Sequence, residues 1–482
     1  MLGREDKQKD FFDEYVFGAM IPEDHILVKI KKSLDFSFLE EETKDLYSRD
    51  FGRPAFPAEV MFRLLFLEFF YNLSDVEVSR QCRYNVLFRW FVGLGVEDRV
   101  PDDTSLVVFR RRLGEERFER LFARVVGKAK EEGLLKERYK IIDATAVVAD
   151  IAVPNTVNLI RQGRRVILKE IAKKDRLMAK RLESEYLTWE KIIGKPTAEE
   201  LVEEVERSWR FVAEVKGRYG EEVDEKVEAL ERILTPGGGQ EKVVSFMDFE
   251  ARRGRTSPKR MFSGYKVHIA EDENEIVTSC DVLSGNRHEG HQLLRLLEME
   301  KEKGLKAEAV VADGLYDSGE NRSRIHEEGM KAYIPFRGER RGMEEFRYLS
   351  KEDQVVCSAE KRTIGKIPQE NGMLYYFSAH DCRRCSRLRR CVRDNQVRMT
   401  FWISDDYKQK IVDDGEGRQE ALRIRKMVER KFGEAKKWHG MARARYRGRA
   451  KVKIQALMTF LVLNVKRMAR LLGHRDLSWV PI

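Results

Sequence analysis

The sequence predicts an α/β protein: a mixed sheet core behind a helical N-terminal region, interrupted by one helical insert and one small cysteine-rich insert. Three observations carry this. Apolar residues recur at helical spacing through most of the first 135 positions, and the period then turns strand-like in RYKIIDATAVV (138–148), with Asp143 inside it, and again in LKAEAVVADG (305–314), with Asp313 at the end of its apolar stretch. A long amphipathic helix, RQEALRIRKMVERKFGEAKKWHG (418–440), follows both. With 482 residues, 42% of them hydrophobic and 36% charged, the chain can bury a sizeable core spread over two to four structural units.

Residues 1–50 offer little pattern. A buried-looking helix is expected from about 58 to 71 and a second from Ser74, where Glu77 three residues on would complete a capping box. Two helices across a short turn suit either a helix-turn-helix that reads DNA or a plain bundle, and the pattern favours the bundle. A third helix starts after Asp102 to Ser105 and carries Arg110, Arg111 and Arg112, with helix continuing through Lys136.

Asp143 then stands in mid-strand among apolar and β-branched residues, which requires a strand buried on both faces. A carboxylate there is costly unless it is paired or binds a metal, the alternative being an Asp that ends the strand and caps a turn. Residues 157–234 read as two or three long helices in a hairpin or coiled arm, a solvated spacer closed by PGGGQ (236–240). After a basic loop, strands at about 263–270 and 275–282 flank the acidic turn Glu271 to Asn274 as a hairpin. A helix from His288 to Lys303 leads to the strand that Asp313 ends, just before Gly314, where catalytic groups emerge from open α/β sheets. Asp317 is a nearby acid beyond the strand end and ranks second.

One more strand, MKAYIPF (330–336), precedes an insert of about eighty residues with Cys357 and a tight C-x2-C-x5-C group of Cys382, Cys385 and Cys391. Four thiolates can close a structural Zn2+ tetrahedron, with His380 a substitute for Cys357; the alternative is four reduced thiols. In the late helix Arg425, Glu429 and Lys436 fall on one face. On an exposed helix such a row is ordinary intrahelical pairing, worth a few tenths of a kcal/mol. Beyond it, Arg443, Arg445, Arg447, Lys451 and Lys453 crowd a basic loop leading into a last helix.

The net charge of +10 is concentrated here: Arg423 to Arg470 holds sixteen Lys or Arg against Glu429 and Glu434 alone. That is the footprint of a surface that lies on nucleic acid. The longest apolar run, LMTFLVLNV (457–465), is too short to span a bilayer, and Met1 onward lacks a signal sequence, so a cytoplasmic protein without membrane contact is expected. Six cysteines, four of them late, suit a reducing compartment.

These motifs, in this order, resemble the bacterial insertion-sequence DDE transposases over roughly residues 50–155 and 245–472. The resemblance rests on Pro101-Asp102-x-Thr104-Ser105 with Phe109-Arg110-x-Arg112, and on Asp143-Ala144-Thr145. It continues through Asp248-x-x-Ala251-Arg252, Gly264-Tyr265-Lys266-x-His268, and Asn286-x-His288 with Glu289 where Asp is usual. Asp313-Gly314-x-Tyr316-Asp317 with Asn321, Arg425-x3-Glu429-x6-Lys436, and Asn464 with Lys466-Arg467 complete it.

The resemblance implies a ribonuclease-H-like core over 136–156 and 245–337 and a helical N-terminal DNA-binding and assembly domain over 1–135, the core being interrupted by the helical insert, 157–244, that the periodicity predicts. A cysteine-rich insert over 338–405 and a catalytic-core helix with a basic C-terminal helix over 406–482 complete the plan. Asp143, Asp313 and Glu429 become the catalytic carboxylates, ligands for two Mg2+ (or Mn2+) ions in in-line phosphoryl transfer. Water attack would nick the ends of an element and a 3'-hydroxyl would join them to target DNA. Arg425, Lys436, Arg443, Arg445, Arg447 and Lys451 are the expected contacts to double-stranded DNA, of the ends and of the target. The active complex is expected to be a homodimer or larger, nucleoid-associated when bound. A Tyr that several related families carry three residues before the Arg is Leu422 here, which leaves open any step that needs an aromatic stack, such as a hairpin end. Two other readings share these residues: a metal-dependent endonuclease without strand transfer, and a DNA-binding protein that has lost catalysis.

Overall fold

In the computed structural model, residues 11–476 are described apart from 34–35, 37, 49–54, 188–191, 236–242, 258, 336–345, 393–395, 406–407 and 409–417. The PGGGQ segment therefore lies outside the described residues, as does the side chain of Leu422.

Residues 1–50, unread in the sequence, supply three short helices, α1 (Phe11–Met20), α2 (Ile26–Ser33) and α3 (Phe38–Thr43). Of these, α3 packs on α4 (Ala58–Phe70), which has Leu64, Leu65, Phe66, Leu67 and Phe69 fully buried. A helix buried on all sides is the centre of a bundle. Ser74 caps α5 (Asp75–Tyr84) by accepting from Glu77 N at 3.2 Å, but only half of the expected capping box forms, because the Glu77 carboxylate turns to Arg80 and Gln81. After α6 (Val86–Val92), Asp102 caps α7 (Asp103–Glu131) through Ser105 N at 2.8 Å. That helix is broken at Gly114 (φ 64°, ψ 174°) and ends five residues short of Lys136.

The core sheet begins with β1 (Tyr139–Val148) and continues with β2 (Arg252–Ser257), β3 (Arg260–Glu271), β4 (Val277–Ser284), β5 (Ala309–Ala312) and β6 (Lys331–Tyr333). Its order is β2-β3-β1-β5-β6, with β4 also on β3; β1 runs antiparallel to β3 and parallel to β5. This is a ribonuclease-H-like mixed sheet. The strand β2 was not expected, since RRGRTS shows no apolar alternation. Between β4 and β5 comes α12 (Gln292–Glu302), shorter than the expected 288–303, and α13 (Gly319–Glu327) follows β5.

Alternation assigns the two faces. Tyr139, Ile141 and Val147 of β1 join the large core shared with the N-terminal bundle, while Ile142 joins Val310, Ala312 and Leu296 on the other side. Even-numbered Lys140 is buried and reaches Glu300 of α12 at 2.5 Å.

The helical insert corrects the expected two or three long helices. Among the described residues it has four: α8 (Thr156–Lys174), α9 (Arg176–Tyr186), α10 (Ala198–Val215) and α11 (Glu221–Leu234). Their apolar stripes meet in a core of their own, including Ile160, Ile167, Phe211, Val227 and Leu230, and a buried Arg164–Glu204 pair fixes α8 to α10. The cysteine-rich insert is slighter. It holds a two-stranded ribbon of β7 (Phe346–Leu349) and β8 (Gln354–Cys357), then β9 (Gly365–Gln369), β10 (Gly372–Tyr376), α14 (Ala379–Arg383), α15 (Leu388–Cys391) and β11 (Thr400–Ser404).

Last come α16 (Arg418–Trp438) and α17 (Arg449–Asp476). Gly440 stops α16 in the left-handed region (φ 71°), and Met441 N closes the end on Ala435 O at 3.1 Å. A side chain at 440 would also meet Asn72 Oδ1 at 2.2 Å. The Ala421, Val428, Phe432 and Ala435 stripe of α16 is buried against the sheet core, and Asn464 of α17 pairs with both backbone groups of Val277.

Candidate active site

The parallel register of β1 and β5 runs from Tyr139 beside Ala309 to Ile142 beside Ala312, so the next pair in line is Asp143 beside Asp313. Neighbouring strands lie about 4.8 Å apart, which puts the two carboxylates side by side on one face. That face is the one α16 covers. Glu420 at its start bonds Arg138 at 2.9 Å, and one turn later Arg425 Nη1 stands 3.6 Å from Asp313 Oδ2.

Asp313 also caps the short turn 314–316 by accepting from Leu315 N, which fixes its carboxylate where the strand ends. Asp143 accepts from Ala144 N at 2.8 Å. Burial pushes its pKa up to about 7, with the charges of Asp313 and Glu289 adding to the rise and Ala144 N and Arg425 opposing it. Beneath the pair, buried His268 meets the Tyr316 hydroxyl at 3.2 Å, and burial holds the imidazole pKa down near 3, so the ring is neutral. Asn321 supports the same turn through Gly290 O and Tyr316 O.

Residues 15–112 match the family of the Transposase domain (DUF772), and residues 239–465 match the Transposase DDE domain. The chain belongs to the DDE transposases. The two matches take in the helical N-terminal bundle as far as the start of α7, and β2 to β6 together with α16, while β1 with Asp143 lies between them; this transposase is an enzyme of polynucleotidyl transfer whose partner is DNA. Among the described residues no helix is long and apolar enough to cross a membrane.

Of the residues expected at the site, Asp143, Asp313 and Arg425 are brought together. Glu429, one turn past Arg425, is exposed and lines an open groove with Arg423, Lys426, Met427 and Arg430. Among the described residues no three His, Cys, Asp or Glu side chains converge closely enough to hold one metal ion. The carboxylate pair nonetheless fits a divalent cation by its chemistry: two hard oxygen donors crowded on one face, one of them hindered from ionising by burial and, to a lesser extent, by the charge of the other. Asp317 is turned away and bonds buried Arg322 at 2.8 Å. Glu289 is the residue that the reading of single motifs missed; paired with Lys266 at 2.8 Å, it adds a second negative charge, after that of Asp313, felt by Asp143. Its place beside His288, at a position where Asp was the usual residue, was the available signal.

The expected DNA contacts divide. Arg443, Arg447 and Lys451 are exposed, with Arg443 resting on Asp150 at 2.9 Å. Lys436 is half-buried beside Arg260. Arg445 requires a correction: it points inward, donating to Glu68 Oε1 at 3.0 Å, Leu73 O at 2.9 Å and Asn72 Oδ1 at 2.6 Å, so its donors are spent tying the N-terminal bundle to the core. Lys453 is likewise drawn inward, to Glu115, Glu119 and Asp281.

The tight group of Cys382, Cys385 and Cys391 and the distant Cys357 line a single cavity of about 40 Å3 with Phe346, Phe377 and Met399. His380 is not among its lining residues.

Proposed function

We propose that this transposase cuts the ends of an insertion element and joins them to target DNA at Asp143 and Asp313, with Glu429 as the third carboxylate. The observation that supports the reading best is the β1/β5 register, which runs two acids side by side on the sheet where the late helix packs. Divalent ions held there, Mg2+ or Mn2+, would stabilise the attacking and leaving oxygens of an in-line displacement. Asp143 and Asp313 bind and orient, and the neutral His268–Tyr316 pair supports them from below. Arg425 balances the carboxylates and, relieved of that role, has a guanidinium to offer a phosphate. Glu429 completes the set by swinging in from the exposed edge of the same helix. Lys436, Arg443, Arg447 and Lys451 carry the DNA backbone past this point.

The deciding experiment is a strand-transfer assay with pre-cut element ends. Joined products that need Asp143 establish the transposase reaction in full, whereas hydrolysis without joining would leave a nuclease.

The cysteine cavity extends the proposal. Cys357, Cys382, Cys385 and Cys391 have the donor chemistry of a structural Zn2+ site, the thiols drawing in around the ion. Elemental analysis of protein purified without chelator should give about one zinc per chain, lost in Cys385→Ser. Metal-free protein with a fully folded insert would contradict it.

A further inference from the structure

The β2–β3 ribbon has no assigned task. Residues Arg253 and Arg255 face Ser263 and Met261 across the pairing, so these four side chains share one face. The opposite face is its root, and there the backbones almost touch. A Cβ at Gly254 would lie 2.2 Å from Gly285 O, and one at Gly264 would lie 2.1 Å from Val147 O. Such contact leaves the ribbon little freedom to bend.

The outer face is basic and open. Arg253 and Arg255 are exposed on it with Met261, 48% exposed, beside them, Lys259 and Arg260 are exposed at the tip of the ribbon, and among the described residues none of these four cations has an acidic partner. A surface strand that is merely solvated mixes its charges and blunts its edge; this one sets several cations and an apolar side chain on a rigid two-stranded support. Its position is fixed relative to the site. Arg260 stands near enough to Lys436 for its charge to disfavour the ammonium, and Ala149 N bonds Ser263 O at 2.9 Å, beside the Arg443–Asp150 pair. Lys436 is eleven residues beyond Arg425 on α16, about 16 Å along the helix at 1.5 Å per residue.

From this geometry we infer that the outer face of the β2–β3 ribbon grips the duplex of the element end, entering its major groove about five base pairs from the bond that is cut. A two-stranded ribbon fits the major groove, Arg253 and Arg255 reach its flanking phosphates, and Met261 sits against the groove floor. Five base pairs is the 16 Å separation divided by roughly 3.4 Å per pair. The distance rests on the proposed cleavage at Asp143 and Asp313; the grip itself does not.

The test pairs the variant Arg253→Glu/Arg255→Glu with the charge-matched control Arg176→Glu/Lys180→Glu on the insert, both titrated with an end duplex over a range of salt. The ribbon variant should bind at least tenfold more weakly, with a log–log salt slope shallower by about 1.8, or 0.9 per lost phosphate contact. The control should match wild type. Equal slopes for wild type and the ribbon variant would overturn the inference. A photocrosslinking residue at Met261, which leaves the charges in place, should label the end duplex about five base pairs from the cut; labelling of target duplex alone would also overturn it. Were the slope and the crosslink found in a wild-type protein that cuts no DNA, the cleavage reading would fall and the grip would stand.

Discussion

Two charged clusters lie on either side of the α16 helix, and they are built on opposite terms. At the junction with the N-terminal bundle, Glu68 receives Arg110 at 3.1 Å and Arg445 at 3.0 Å, Arg110 also holds Asp75, and Arg445 adds Leu73 O and Asn72. Nearby His439, at the end of α16, meets Phe69 O at 2.8 Å and Lys466 at 3.2 Å. Burial raises the Glu68 carboxyl pKa to about 7, as it does that of Asp143, but Glu68 accepts directly from two guanidiniums. At the sheet edge, by contrast, Asp143, Asp313 and Glu289 crowd together against Arg425 and Lys266, and buried Asp143 accepts from Ala144 N without an ion pair of its own among the described residues. A satisfied cluster holds domains together, while an under-compensated one stores binding capacity for a cation.

Substitutions should separate the two. Asp143→Asn or Asp313→Asn relieves repulsion and is expected to leave stability unchanged or slightly raised, while end cleavage falls by at least two to three orders of magnitude. The double variant should lose little more, because the acids act as one unit. Arg110→Met does the reverse: Glu68 and Asp75 lose their shared counter-charge, and denaturant unfolding should show a loss of about 3–5 kcal/mol. A cost under about 1 kcal/mol would show that the junction does not hold the bundle. Asp317 lies only four residues past Asp313 yet belongs to the satisfied class through Arg322, so Asp317→Asn should lower stability and leave cleavage by the folded fraction intact.

A smaller effect comes from His268, which sits beneath the under-compensated cluster. Its folded pKa, near 3, lies below the ordinary 6.5, so the unfolded chain takes up the proton first. The contribution is therefore complete above pH 6.5 and is lost progressively as the pH falls from there toward 3, by at most a few kcal/mol. Melting temperature against pH should be less steep over that window in His268→Asn; an unchanged slope would assign the acid sensitivity to other groups.

Much of this was legible in the sequence where the signal is local. An acid interrupting a β-branched run marked Asp143, an acid before glycine marked Asp313, and the glycine after KKWH marked the end of α16. What was not legible depends on pairing across the chain. A dense basic stretch looks the same whether its members face DNA or an acid, and the acid that claims Arg445 is Glu68, 377 residues earlier. The strand β2 exists because glycines at 254, 264 and 285 let three backbones close, a packing effect that RRGRTS does not announce. The insert helices were under-counted because Asp175 both ends α8 and caps α9, so one apolar stripe runs on through a sharp corner.

The central claim is that α16 brings a third carboxylate to the aspartate pair, and Glu429→Gln tests it most directly. The change keeps size and helix propensity and removes only the charge. Measured as Mg2+-dependent cleavage of a labelled element end, with binding followed in parallel, the account predicts activity lower by orders of magnitude and end binding retained. Near-normal cleavage, with stability altered by no more than about 0.5 kcal/mol, would show Glu429 to be an ordinary surface partner on its helix and contradict the account.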